Sequence, residues 1–206
     1  MRSYLSAVIL AVILGLFITG CGTPASPKQE EYIKNHQKLY TQRAVWIKQH
    51  RGSNVFVVVR PFTKSSTVLP TNSEVVIDGF KGDLVLSYRG RYVKFLHLKP
   101  IDKNGKRSKE GTQAFVDELL QLTKVDMHNY SEDIQESIHT NVVIKGMDRE
   151  AVTLAVGKAT YPETFSYYDD RWYFSNHKHK TILTVIFKDN KVIKVKDERV
   201  VRTKEQ

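Results

Sequence analysis

Hydrophobic and polar positions follow several different rhythms along the chain. Leu5 to Ile18 is a largely apolar run without a charge, preceded by Arg2 and closed by Thr19 and Gly20. It is shorter than the roughly 20 residues a spanning helix needs and opens into Thr23-Pro24-Ala25-Ser26-Pro27, so residues 1–20 read as a cleaved secretion signal and 21–29 as a tether. From Glu30 to Arg51 the residues Ile33, Leu39, Tyr40, Trp46 and Ile47 recur at roughly helical spacing and Gly52 follows, which predicts one helix. Between Asn54 and Leu98 the character changes to the β-rich runs "VFVVVR", "EVVIDGF", "DLVLSY" and "RYVKFLHL". Turn signals at Pro61, Pro70-Thr71-Asn72, Lys81-Gly82-Asp83 and Arg89-Gly90 separate them, which predicts a small antiparallel barrel or roll. Together, residues 30–100 read as a helix plus a β-rich domain.

The stretch Pro100 to Gly111 is basic, glycine-containing and nearly devoid of apolar side chains, and 101–111 reads as a linker. Residues 112–206 then form a second α+β unit. A helix is predicted over Thr112 to Lys124, with Phe115, Leu119 and Leu122 on one face, and a second over Ser131 to His139. "GMDREAVTLAVG", Gly146 to Gly157, carries a complete set of helix signals: Asp148 to cap, Met147 to staple against Val152, and Gly157 to stop. Three strands follow, over Arg171 to Ser175, Thr181 to Phe187 and Lys191 to Val195, the last two joined by a primed turn at Asp189-Asn190. Leu183, Val185 and Phe187 share one face, which the preceding helices are placed to cover. The fold class is α+β: an N-terminal helix with a small antiparallel β-barrel or roll, then helices on a three-stranded antiparallel sheet.

Two stretches resemble known families. Ile18-Thr19-Gly20-Cys21 resembles the lipobox of bacterial lipoproteins. The resemblance implies that Cys21, the only cysteine, becomes the lipidated first residue of the mature chain, and that Gly22, in place of an Asp, favours the outer membrane over the inner. Two or three acyl chains give stable anchoring where one gives only marginal binding. The order "GMDREAVTLAVGKAT", Phe165, "RWYF" and "LTVIFKDNKV" is similar to the SmpA/OmlA (BamE-like) family over roughly Val142 to Asp197. In place of the residues usual in that family, Asp148 stands for a Thr, Ala159 for a Pro and Asn190 for a Gly. The resemblance implies a non-catalytic domain that binds envelope proteins and, in some members, anionic lipid.

The chain has 32 Lys and Arg against 22 Asp and Glu, a net charge of +10. For an envelope protein this favours lipid headgroups or acidic protein surfaces as neighbours and not nucleic acid. "YYDDRWYF" places five aromatics in eight residues. Strand alternation there puts Trp172 and Phe174 in the core and leaves Tyr167, Tyr168, Arg171 and Tyr173 as the candidate partner-binding set, of residue types enriched at interface hot spots. Asp169 and Asp170 read as turn residues, not as paired catalytic carboxylates. His177 and His179 would share a strand face but stand between Lys178 and Lys180 without a third ligand, which reads as a solvated hairpin loop and not a metal site. No nucleophile is organised with a base, and no phosphate loop or dinucleotide fingerprint is present, so no catalytic residue, cofactor or metal is assigned. The expected function is that of a lipid-anchored, non-enzymatic scaffold or accessory factor of an outer-membrane complex, on its periplasmic face. The alternative is a module for cell-wall glycan (peptidoglycan) or anionic lipid using Arg60, Arg89, Arg91 and Lys94; an envelope hydrolase or protein inhibitor ranks last.

Overall fold

The computed structural model describes residues 26–80, 83–95, 109–159, 164 and 166–198. Cys21, the signal, Phe165 and most of the expected linker lie outside them. The protein is mixed α+β. Helix α1 spans Pro27–Lys34. An eight-stranded sheet comprises β1 (Lys38–Thr41), β2 (Val45–Gln49), β3 (Val55–Val58), β4 (Ser66–Leu69), β5 (Glu74–Phe80), β6 (Leu84–Tyr88), β7 (Arg91–Phe95) and β8 (Leu120–Gln121). Helix α2 (Lys109–Leu119) leads into β8, and α3 (Glu132–His139) and α4 (Arg149–Val156) precede a three-stranded sheet of β9 (Arg171–Ser175), β10 (Thr181–Lys188) and β11 (Lys191–Asp197).

The single helix expected over Glu30 to Arg51 is instead a two-turn helix and two strands. Ser26 closes a capping box with Gln29, Pro27 occupies the first turn, and the chain leaves the helix through His36 at φ +47°. Beyond it, Leu39 and Thr41 are fully buried while Lys38 is exposed, a period of two. β2 is buried on both faces: Val45 and Ile47 join the sheet's core and Trp46 faces the second unit. Such a strand presents the unbroken apolar run that looks like a helix stripe in sequence.

The large sheet has the order β4-β2-β3-β7-β6-β5-β1-β8 and is curled and open at β4 and β8. It is not wholly antiparallel as expected: β7, the return strand of the β6–β7 hairpin, lies parallel to β3 with Phe56 beside Val93. Consequently Arg91 and Lys94 occupy a central strand, not an edge. Arg91 lies over the Phe56 ring at 5.5 Å, and Arg89, in the β6–β7 turn, over Tyr88 at 5.2 Å.

The helix expected to run to Lys124 stops at Leu119. Leu120-Gln121 leaves it to pair with Tyr40-Thr41 on the otherwise open side of β1, and Leu122 is 53% exposed. Val116, Leu119 and Leu120 fill the core of the first sheet. The division between the two cores therefore falls after β8 and not at residues 111 and 112. The second core gathers Met147, Val152 and Leu154 from around α4 against Trp172, Phe174, Leu183, Val185 and Phe187, the sheet face expected to need cover. Asp148 caps α4 by accepting from the Ala151 amide at 2.8 Å. Asp189 and Asn190 both have positive φ, as a primed turn requires.

The two units meet at the C-terminal end of α4. The Trp46 indole N–H donates to the Val156 carbonyl at 2.9 Å, and the Thr71 hydroxyl donates to the Leu154 carbonyl at 2.7 Å. The Trp46 ring lies tilted against Phe62 at 4.4 Å, and Phe62 meets Phe174 of the second core at 6.3 Å. Asn72 clamps Val125 in both directions, accepting from its amide and donating to its carbonyl. At the rim, Glu118 of α2 joins Lys158 at 2.5 Å and Arg43 at 3.4 Å.

Gly157 sits at φ +83°, and a Cβ there would lie 2.8 Å from the Ala44 carbonyl oxygen. Gly157→Ala is expected to destabilise the chain by about 2–4 kcal/mol, combining backbone strain with a backbone clash. Gly146→Ala, at φ +88° with nothing within 4 Å, should cost about 1–2 kcal/mol. Paired urea titrations measure the difference. A second expectation concerns acid. Burial pushes the Glu118 carboxyl up, but Lys158 and Arg43 outweigh it and hold the group below its ordinary range. Unfolded chains bind that proton more readily, so the clasp contributes fully above the ordinary glutamate pKa of about 4.3 and is lost as pH falls through the lower folded value. The gap in urea midpoint between the parent and Glu118→Gln should close on acidification.

Candidate functional site

The sequence-predicted partner-binding residues surround edge strand β9. Alternation places Trp172 and Phe174 in the core, 2% and 0% exposed. Arg171 is exposed and Tyr173 half-buried on the opposite face, opposite Ile186 and Thr184 of β10. Tyr167 and Tyr168 precede the strand in a turn, 50% and 81% exposed. Their rings meet edge to face at 5.5 Å, and Tyr167 lies 5.2 Å from the Trp172 ring. The four residues thus fall into two groups: the tyrosine pair on the side of the buried indole, and Arg171 with Tyr173 on the outer face.

The turn is built from the residues read as turn-formers. Asp169 accepts from the Ser166 amide at 2.9 Å, and the Ser166 hydroxyl accepts from the Tyr168 amide at 3.1 Å. The Asp170 carbonyl accepts from the Phe187 amide, joining the turn to β10. The Asp169 carboxylate is thus held within the turn, and the exposed Asp170 carboxylate lies 3.5 Å from Arg149.

Arg149 is the residue that sequence reasoning missed. It opens α4, where an arginine reads as helix surface, yet it is 6% exposed. Its guanidinium donates to Asn190 Oδ1 at 2.9 Å and to the carbonyls of Tyr168 and Asp169 at 3.2 and 3.3 Å, and lies 4.5 Å over the Phe187 ring. One planar cation thereby holds the tyrosine turn, the β10–β11 hairpin and α4 in register, which the fork of a guanidinium suits and an ammonium does not.

Tyr130 borders the same surface. Burial pushes its hydroxyl well above the ordinary range, and the carboxylates of Asp148 and Glu150 add to the shift. Burial, then Glu150 and Asp148, likewise raises Tyr167. Both phenols stay protonated at neutral pH and remain hydrogen-bond donors. The arrangement offers flat aromatic area with polar tips, suited to contact and not to proton abstraction.

His177 and His179 sit in the exposed turn joining β9 to β10, as expected of a hairpin loop. His179 Nδ1 lies 3.3 Å from Arg60 of the first unit. Among the described residues no group of three or more His, Cys, Asp or Glu is placed to hold a metal ion. Nor is any described helix long and apolar enough to cross a membrane.

Arg149→Met should lower stability by about 2 kcal/mol or more, since several charge-assisted hydrogen bonds are lost from a buried position. Arg149→Lys should recover only a minor part of that. Guanidinium chloride titration followed by tryptophan emission checks both, Trp172 lying beside the turn.

Comparison with known proteins returned nothing: no protein-family model, no curated protein and no solved structure matches this chain.

Proposed function

We propose that the chain is a lipid-anchored bacterial envelope lipoprotein, tethered through Cys21 at the periplasmic face of the outer membrane, whose BamE-like C-terminal half binds envelope proteins without catalysis. The anchor rests on the lipobox resemblance and the apolar leader before it. One observation carries the binding role: Tyr168, 81% exposed, and Tyr167, half exposed, stand on a turn fixed from beneath by Arg149. Large aromatic side chains are costly to leave in water, and a rigid pair loses little conformational freedom on docking. The helices over a three-stranded antiparallel sheet are compatible with the SmpA/OmlA resemblance. The eight-stranded unit enlarges the domain and fixes its α4 end.

Native lipoprotein isolated from its own membrane provides the test. Mass spectrometry of its N-terminal peptide should find an acylated Cys21; an unmodified thiol behind an intact leader overturns the anchoring. Tyr168→Ala, at a position 81% exposed, should leave the unfolding midpoint nearly unchanged while weakening crosslinking to the envelope partner by about 2 kcal/mol or more, roughly thirtyfold in affinity. An unchanged crosslinking pattern overturns the assignment of this surface. Arg171→Ala/Tyr173→Ala, on the outer face, reports whether the partner wraps the strand edge.

A further inference from the structure

A second concave surface lies away from the tyrosine turn, where the two units meet. A cleft of about 920 Å³ opens between the β2 and β4 side of the first sheet and the β9–β10 turn of the second. Its apolar lining is Trp46, Phe62 and Ile182, the two rings lying 4.4 Å apart and tilted by 56°. Phe62 is held at φ +56°, a conformation rare for a bulky side chain, and there its ring meets both Trp46 and Phe174.

Cations line the cleft from both units: Lys48 and Lys64 from the first, Lys178 and Lys180 from the second. Glu198 also lines the cleft and is paired with Lys180 at 3.0 Å. Lys48, Lys64 and Lys178 are in no ion pair among the described residues. The β9–β10 turn is fixed from within, Asn176 Oδ1 accepting from the amides of Lys178 and Lys180 at 2.9 and 3.2 Å. Three ammonium groups outside any ion pair favour a group of higher charge with more acceptor oxygens, which a phosphate monoester offers and a carboxylate does not. A volume in the range of small-molecule sites, with an aromatic wall and cations on two sides, fits an organic body carrying phosphate.

We infer that this cleft is a binding site for an organic phosphate ester, its apolar or ring portion against Trp46 and Phe62 and its phosphate among Lys48, Lys64 and Lys178. The site exists only where the two units are docked, since each contributes part of the cation set. It shares no residue with the tyrosine turn, and either assignment can fail without the other.

Calorimetric titration of the full chain in a non-ionic detergent tests this with four probes: phenyl phosphate, inorganic phosphate, benzoate, and short-chain dihexanoyl phosphatidylglycerol. Phenyl phosphate should bind at least about tenfold more tightly than benzoate or inorganic phosphate, because only it fills both halves of the site. Lys48→Gln/Lys64→Gln/Lys178→Gln, at positions that leave the core untouched, should weaken the tighter phosphate ester by about tenfold or more. Lys34→Gln/Lys145→Gln/Lys194→Gln removes the same charge elsewhere and should change binding less than about twofold. Lysine-dependent binding of phenyl phosphate or of the short-chain lipid upholds the site, and the tighter of the two names a soluble or a lipid source. Equal binding of benzoate, equal loss in the two triple variants, or binding by none of the probes overturns it.

Discussion

The structure depends on how helix α4 ends. The last four carbonyls of a helix have no partner within it, and a buried one left unsatisfied costs about 1–3 kcal/mol. Here the Gly157 amide takes the Thr153 carbonyl from within the chain segment, while Trp46 and Thr71 of the first sheet take those of Val156 and Leu154. The second unit therefore does not complete its own principal helix; the first unit completes it. Contact this intimate needs the backbone at Gly157 to approach the Ala44 carbonyl, which a side chain would prevent. Two hydrophobic cores are distinguishable, but the bonds between them are of the kind found inside a domain.

What the sequence made legible follows the range of the forces involved. α4 and its cap, the primed turn at Asp189-Asn190 and the inward face of β10 are set by neighbours a few residues apart, and each stands as expected. Misreadings arise where a distant partner decides. Residues 38–49 look helical because β2 is buried on two faces by two different cores, so its apolar run has no polar alternation. Leu120 leaves α2 because β1 offers backbone groups that nothing else pairs. Arg91 and Lys94 lie on a strand that becomes central only through its parallel pairing with β3, a contact joining residues far apart in the chain.

The candidate site divides in the same way. Strand alternation correctly separated buried Trp172 and Phe174 from Arg171 and Tyr173. It gave no warning that Tyr167 and Tyr168 would lie on the indole side of the strand, because a turn before a strand obeys no period. Arg149 carried no signal at all: at the first position of a capped helix an arginine looks solvated, and its burial appears only once α4, the tyrosine turn and the Asn190 hairpin converge on it.

Trp46 links these observations. Its N–H is committed to α4, which leaves its ring to be oriented by that bond, and the ring in turn places Phe62 against Phe174. The same residue thus joins the two cores and forms one wall of the lysine-lined cleft. Joining the units and forming the cleft are one event, because a strand from the first sheet and a turn from the second must be adjacent before lysines of both line it. An anion held by cations of both units binds only the docked arrangement and therefore stabilises it by mass action. The hydrogen-bonded, aromatic-packed junction at the end of α4 is what keeps that arrangement assembled, so the cap of one helix and the shape of the cleft are set by the same contacts.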